Sequence, residues 1–151
     1  MPGGFDEVLE RVAYYSDVVP NEGPSRRIAA IGFSASVIGS PIASEVKNRE
    51  IVAWTVNQKK SFKNVTNQRG SRVPSLVTGT IRLASPVDLG TEGIIAIDGV
   101  AAGVIGELSG ARDVVSYTAI LDYTLLTPGD HTIELFVRAP DGVLTKVGLP
   151  R

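Results

Sequence analysis

Side chains able to do chemistry are few in this chain, so their spacing carries the argument. There is one histidine, His131, and no cysteine. A lone imidazole excludes a multi-histidine metal centre, and without thiols there are no disulfides, thiolate nucleophiles or cysteine-bound zinc. His131 follows the turn residues Thr127-Pro-Gly-Asp130 and stands at the entrance to a strand-like run, where a solvated ring is expected. Asp130 and the many serines would complete a Ser-His-Asp set on paper. Adjacent residues on a strand point to opposite faces, however, and the Gly-x-Ser-x-Gly elbow is absent. Catalysis through His131 is therefore not expected, and neither is a cofactor.

The carboxylates are scattered singly. Glycoside hydrolysis needs two of them across a sugar, and no local pair suggests one; Asp88 to Glu92, Asp98 and Asp113 read as loop or turn residues. The glycine-rich stretch from Gly99 to Gly110 includes Gly103-Val-Ile-Gly106. It lacks the Gly-x-Gly-x-x-Gly order and a following helix, so it reads as hairpin punctuation. Charge is distributed less evenly. From Ile51 to Val87 there is no acidic residue, against Lys59, Lys60, Lys63, Arg69, Arg72 and Arg82. The polar stretch from Asn57 to Arg72, with Phe62 inside it, suits a loop facing an anionic surface, either lipid headgroups or a phosphate-bearing polymer. The competing reading is a solvated loop balanced by carboxylates elsewhere. Lys59, Lys60, Lys63, Arg69 and Arg72 are the candidate binding residues. Trp54 sits within a strand-like run and is expected in the core rather than on a sugar-stacking face. Asn64-Val-Thr66 fits an N-glycosylation sequon, a tripeptide frequent by chance.

The elements that would position these residues are mostly strands. Phe5, Val8, Leu9, Val12 and Tyr15 recur at helical spacing, which predicts one amphipathic helix ending before Pro20. From Arg26 the pattern changes to short β-branched runs broken by Gly, Pro, Asp and Asn. Strands are predicted over 28–33, 51–56, 75–83, 94–97, 100–105, 116–121, 132–137 and 143–147. The sharpest local signal is Asp98-Gly99 between two apolar runs, which predicts a type I′ hairpin. These short strands and tight turns, with no βαβ rhythm, point to an antiparallel β-sandwich, immunoglobulin-like, over 25–151, with the helix and a linker in 1–24. The net charge of −1 argues against a nucleic-acid partner. No apolar run is long enough to span a bilayer, and the first residues do not form a secretory signal. Any export would depend on sequence upstream.

Two groups of motifs carry a family resemblance. Val37-Ile-Gly-Ser-Pro-Ile42 and Val73-Pro-Ser-Leu-Val-Thr-Gly79 form the first. Ala96-Ile-Asp-Gly-Val-Ala-Ala102, Tyr117-Thr-Ala-Ile-Leu and Leu126-Thr-Pro-Gly-Asp-His-Thr-Ile-Glu-Leu-Phe136 form the second. Over roughly residues 36 to 147 they resemble the C-terminal extracytoplasmic region of actinobacterial membrane-anchored sulfatase-like proteins. Those proteins belong to the alkaline-phosphatase superfamily and include phosphoglycerol-transferase-like members. The family's "Ile-Gly-Arg-Pro-Val" element is Ile-Gly-Ser-Pro-Ile here, and its "Ala-Val-Asn-Gly" turn is Ala-Ile-Asp-Gly. The family's metal site and Ser/Thr nucleophile lie in an upstream domain, and no position here matches them.

The resemblance implies a non-catalytic accessory domain on the outer face of the cell membrane. Its implied partners are an upstream catalytic domain of the same polypeptide and anionic lipid or cell-envelope polymer. The competing expectation is a free-standing extracellular carbohydrate-binding or adhesion module. Tryptophan and tyrosine exposed in one groove would favour it.

Overall fold

The computed structural model describes residues 36–66, 68–71, 73–108 and 113–151. The predicted helix and the predicted strand over 28–33 lie outside them, as does Arg72. Among the described residues there are seven strands: β1 (Ile51–Trp54), β2 (Leu76–Leu83), β3 (Glu92–Ile97), β4 (Val100–Glu107), β5 (Val114–Ile120), β6 (Ile133–Arg138) and β7 (Leu144–Gly148). Each coincides with a predicted strand to within two residues at either end. The period-two pattern is plain in β2, where Val77, Ile81 and Leu83 are buried and Leu76 and Arg82 are exposed. Alternating side chains of one strand meet opposite faces of the sheet.

All strand pairings are antiparallel, in two sheets of order β1-β2-β5 and β4-β3-β6-β7. An immunoglobulin constant domain has the orders 1-2-5-4 and 3-6-7. Here the fourth strand leaves the end of the first sheet and pairs with the third through the hairpin. That shift follows from Asp98-Gly99: both residues have positive φ, 51° and 78°, as a two-residue I′ connection requires. Ile97 and Val100 then pair directly.

The two sheets enclose one core. Trp54, Val77, Ile81, Tyr117 and Ala119 from the first sheet pack with Ile95, Ile97, Ala102, Leu135 and Val137 from the second. Two glycines allow close backbone approach. A Cβ on Gly79 would lie 2.0 Å from the Thr55 carbonyl oxygen, and one on Gly103 would lie 2.5 Å from that of Ile120. Gly103 and Gly106 are therefore part of β4. Among the described residues of the stretch read as hairpin punctuation, Gly99 alone is in the turn.

The four-stranded sheet also has an apolar outer face, formed by Ile94, Ala96, Ala101 and Phe136. The segment 37–48 straps across it. Gly39 N–H donates to the Ala101 carbonyl and Ile42 N–H to that of Gly99, at the β4 edge. Asn48 N–H then donates to the Lys146 carbonyl at the β7 edge. Ile42 is buried against the sheet between these anchors. The strap thus protects both sheet edges, and its Ile-Gly-Ser-Pro-Ile motif covers the β4 edge and seals a second small core.

Candidate functional site

The chemically interesting residues gather at one end of the sandwich. Strands β1, β3 and β5 finish there, while β2, β4 and β6 begin there. The end is built from the 55–75 connection, the Asp98-Gly99 turn and the 121–132 connection. The two long connections are zipped together. Val65 and Gly129 exchange backbone hydrogen bonds of 2.8 and 2.9 Å, and His131 N–H donates to the Phe62 carbonyl. Phe62 is buried within a 3-10 turn, Lys59–Phe62, and Trp54 lies fully buried below it. The Trp54 indole N–H donates to the Gly148 carbonyl, and the Tyr117 hydroxyl donates to that of Thr55 at 2.7 Å. Burial pushes the Tyr117 phenol far above its ordinary value. Core aromatics therefore brace the base of this end, and Trp54 is the core residue its sequence context predicts.

His131 is not solvated. Its residue exposure is 5%, because the zipper carries the ring beneath the loop. Nδ1 lies 2.6 Å from Asp98 Oδ2 and Nε2 lies 2.6 Å from the Thr127 carbonyl oxygen. A carbonyl cannot donate and an ionised carboxylate only accepts. Both ring nitrogens therefore carry protons, and the ring is an imidazolium paired with Asp98. Burial by itself lowers the His131 pKa. The Thr127 carbonyl, the Asp98 hydrogen bond and the charges of Asp98 and Asp130 outweigh it, and the net shift is upward. For Asp98, burial raises the pKa, but the Thr132 N–H, His131 and Lys63 bring it below its ordinary value. Both nitrogens being occupied by donated protons, His131 has no free lone pair for general-base work. Its role is to lock the Asp98 turn to the 127–131 loop.

Glu92 also departs from its expected place. It begins β3 rather than sitting in a loop, is buried, and lies across from Arg138 in the β3–β6 register. Asp88 and Asp113 are exposed just outside strands, as turn carboxylates should be.

The basic stretch separates into different tasks. The Lys59 ammonium donates to the Pro150 carbonyl at 2.9 Å and holds the C-terminal segment. Lys63 faces Asp130 at 3.8 Å, with both side chains more than half exposed, so this pair contributes little to stability. Lys60 and Arg69 are exposed, and among the described residues neither enters an ion pair. Lys59, Lys60, Lys63, Arg69 and the His131 imidazolium outnumber Asp98, Asp122 and Asp130 at this end.

The same end carries an open groove of about 420 Å³, lined by Gln68, Ser71, Val73, Tyr123, Thr124, Leu126 and Thr127 and by none of these cations. Its first wall is the turn 68–71, in which the Ser71 hydroxyl donates to the Gln68 carbonyl. The second wall is the 3-10 turn Tyr123–Leu125, capped by buried Asp122, which accepts from the Thr124 N–H and hydroxyl. The Tyr123 ring is left half-exposed. Of the groove residues, Gln68 and Ser71 fall in the polar loop, Thr127 in a predicted turn, and Val73 and Leu126 in the motifs that carry the resemblance; nothing in the sequence marks Tyr123 or Thr124.

No group of three or more metal-ligating side chains forms among the described residues, and none of their helices is long and apolar enough to cross a membrane. The chain shows the mainly β, sandwich-like architecture of two antiparallel sheets. Comparison with family models, curated proteins and solved structures returns no match to it.

Proposed function

We propose that this chain is a non-catalytic accessory domain of a membrane-anchored, extracytoplasmic enzyme of the sulfatase-like or phosphoglycerol-transferase-like class, and that its loop-bearing end contacts an anionic cell-envelope polymer. The family assignment rests on the motif resemblance. The contact surface rests on one observation: Lys60 and Arg69 stand exposed and, among the described residues, without ion-pair partners on an end whose described cations outnumber its carboxylates. The surrounding loops are clamped by the Asp98–His131–Thr127 bonds and the Val65–Gly129 zipper, so little ordering entropy opposes binding. A polymer suits this end better than a flat lipid surface, because the same end carries a groove as well as cations. The half-exposed Tyr123 in that groove also favours a second reading, a free-standing carbohydrate-binding module.

Co-sedimentation of the domain with a purified anionic wall polymer, with anionic vesicles and with neutral vesicles tests the proposal. The expected result is salt-sensitive binding to the polymer that exceeds binding to either vesicle and is lost in the Lys60→Glu, Arg69→Glu double variant. Binding unchanged in that variant, or preference for anionic vesicles, overturns it.

A further inference from the structure

We infer that the groove between the 68–71 turn and the Tyr123–Leu125 turn is a subsite for one sugar unit of an acidic glycan, with Tyr123 as its stacking platform. This deepens the polymer-binding reading and rests on it. A tyrosine left half-exposed on a surface is common; the placement of this one is not. It lies on a turn whose N-terminal residue, Asp122, is fully buried and spends its carboxylate oxygen on the Thr124 N–H and hydroxyl. At the far end of the same wall, the Thr127 carbonyl is held by the His131 ring. The wall is thus fixed at both ends, and Tyr123 is carried on a held turn.

Chemistry around the ring selects the ligand. The groove combines one aromatic residue, Tyr123, and the apolar Val73 and Leu126 with Gln68, Ser71 and Thr127, whose side chains carry an amide and two hydroxyls. A pyranose has the matching surface: an axial C–H face that packs on the electron-rich face of an aromatic ring, and equatorial hydroxyls that pair with amides and hydroxyls. The volume of about 420 Å³ falls within the roughly 300–1,000 Å³ typical of small-ligand sites. Its openness along the surface suits a unit within a chain. Arg69 lies between Gln68 and Ser71 in the turn that forms the first wall; it is exposed and outside the groove lining, and we assign it to an acidic substituent that projects beyond the groove. A lipid tail would leave the amide and hydroxyls of this mixed lining without partners.

Isothermal titration of the domain with two probes of equal length tests the inference: a neutral N-acetylglucosamine tetramer and a galacturonate tetramer. Both are expected to bind, the galacturonate more tightly. Tyr123→Ala should weaken both by about tenfold or more, Tyr123→Phe should bind as the wild type does, and Gln68→Ala should weaken both. Arg69→Ala should weaken only the galacturonate. Gln68 is exposed in a turn, so that variant keeps the test decisive should Tyr123→Ala disturb the fold. Wild-type affinity in both Tyr123→Ala and Gln68→Ala overturns the subsite. Binding of neither tetramer alongside retained sedimentation with wall polymer overturns the subsite and leaves the basic-end reading standing. Loss of polymer sedimentation by the wild type while both tetramers bind does the reverse.

Discussion

The His131–Asp98 pair gives stability a pH dependence that the single histidine makes easy to isolate. In the unfolded chain His131 titrates near its ordinary value of about 6.5, and in the fold its pKa is raised. The contribution is therefore fully present below about pH 6.5 and is lost as pH rises through the folded value. One proton is involved, so the limiting slope is about 1.4 kcal/mol per pH unit. Asp98 acts with opposite sign. Its folded pKa is lowered, so its contribution is present above its ordinary value near 3.8 and fades as the solution is acidified through the folded value. Removing the imidazole abolishes two charge-assisted hydrogen bonds. With Asp98 half-exposed, screening discounts the ion-pair part, and His131→Ala should cost about 2–4 kcal/mol. Urea unfolding of wild type and His131→Gln at pH steps from 5 to 9 measures this. The wild type should lose stability above pH 6.5 and the variant should not share that loss. A wild-type curve flat from pH 6.5 to 9, or an equal slope in the variant, would refute the imidazolium assignment.

Further outcomes follow from packing. Gly79→Ala places a methyl group 2.0 Å from the Thr55 carbonyl oxygen, so β1 and β2 must separate; a loss of about 3 kcal/mol in denaturant unfolding is expected. Ile42→Ala removes the plug beneath the strap and should cost about 2–4 kcal/mol. It should also speed amide exchange at Gly39, Ile42 and Asn48, whose N–H groups anchor that strap. Tyr117→Phe leaves the Thr55 carbonyl without its hydroxyl donor and should cost about 1 kcal/mol, read by thermal unfolding.

The fold was largely legible because its signals are local. Period-two burial marks β2 and β5, and Asp98-Gly99 fixes both the hairpin and the pairing of β3 with β4. Those signals do not reveal that β5 pairs with β2 and β6 with β3. The strap was illegible as an element, since Gly39 and Pro41 break any strand pattern and its bonds reach Ala101 and Lys146.

The site was less legible than the fold. His131 reads as solvated from its neighbours. Its burial depends on Asp98, 33 residues earlier, and on a backbone carbonyl that no residue letter identifies. The basic stretch was visible as composition, but its division into an anchor at Lys59, an ion pair at Lys63 and unpaired charges at Lys60 and Arg69 needs partners distant in the chain. Tyr123 carries no sequence signal at all; only the Asp122 cap and the facing turn make it a platform.

We propose that one end of this sandwich, and no other surface, meets an acidic envelope glycan. Amide chemical-shift mapping during titration with the galacturonate tetramer tests this most directly. Perturbations confined to 57–71 and 121–132, quenched by salt, are expected. Perturbations centred on the outer face of β2 and β5, or around the opposite end at 84–91 and 139–143, would contradict it.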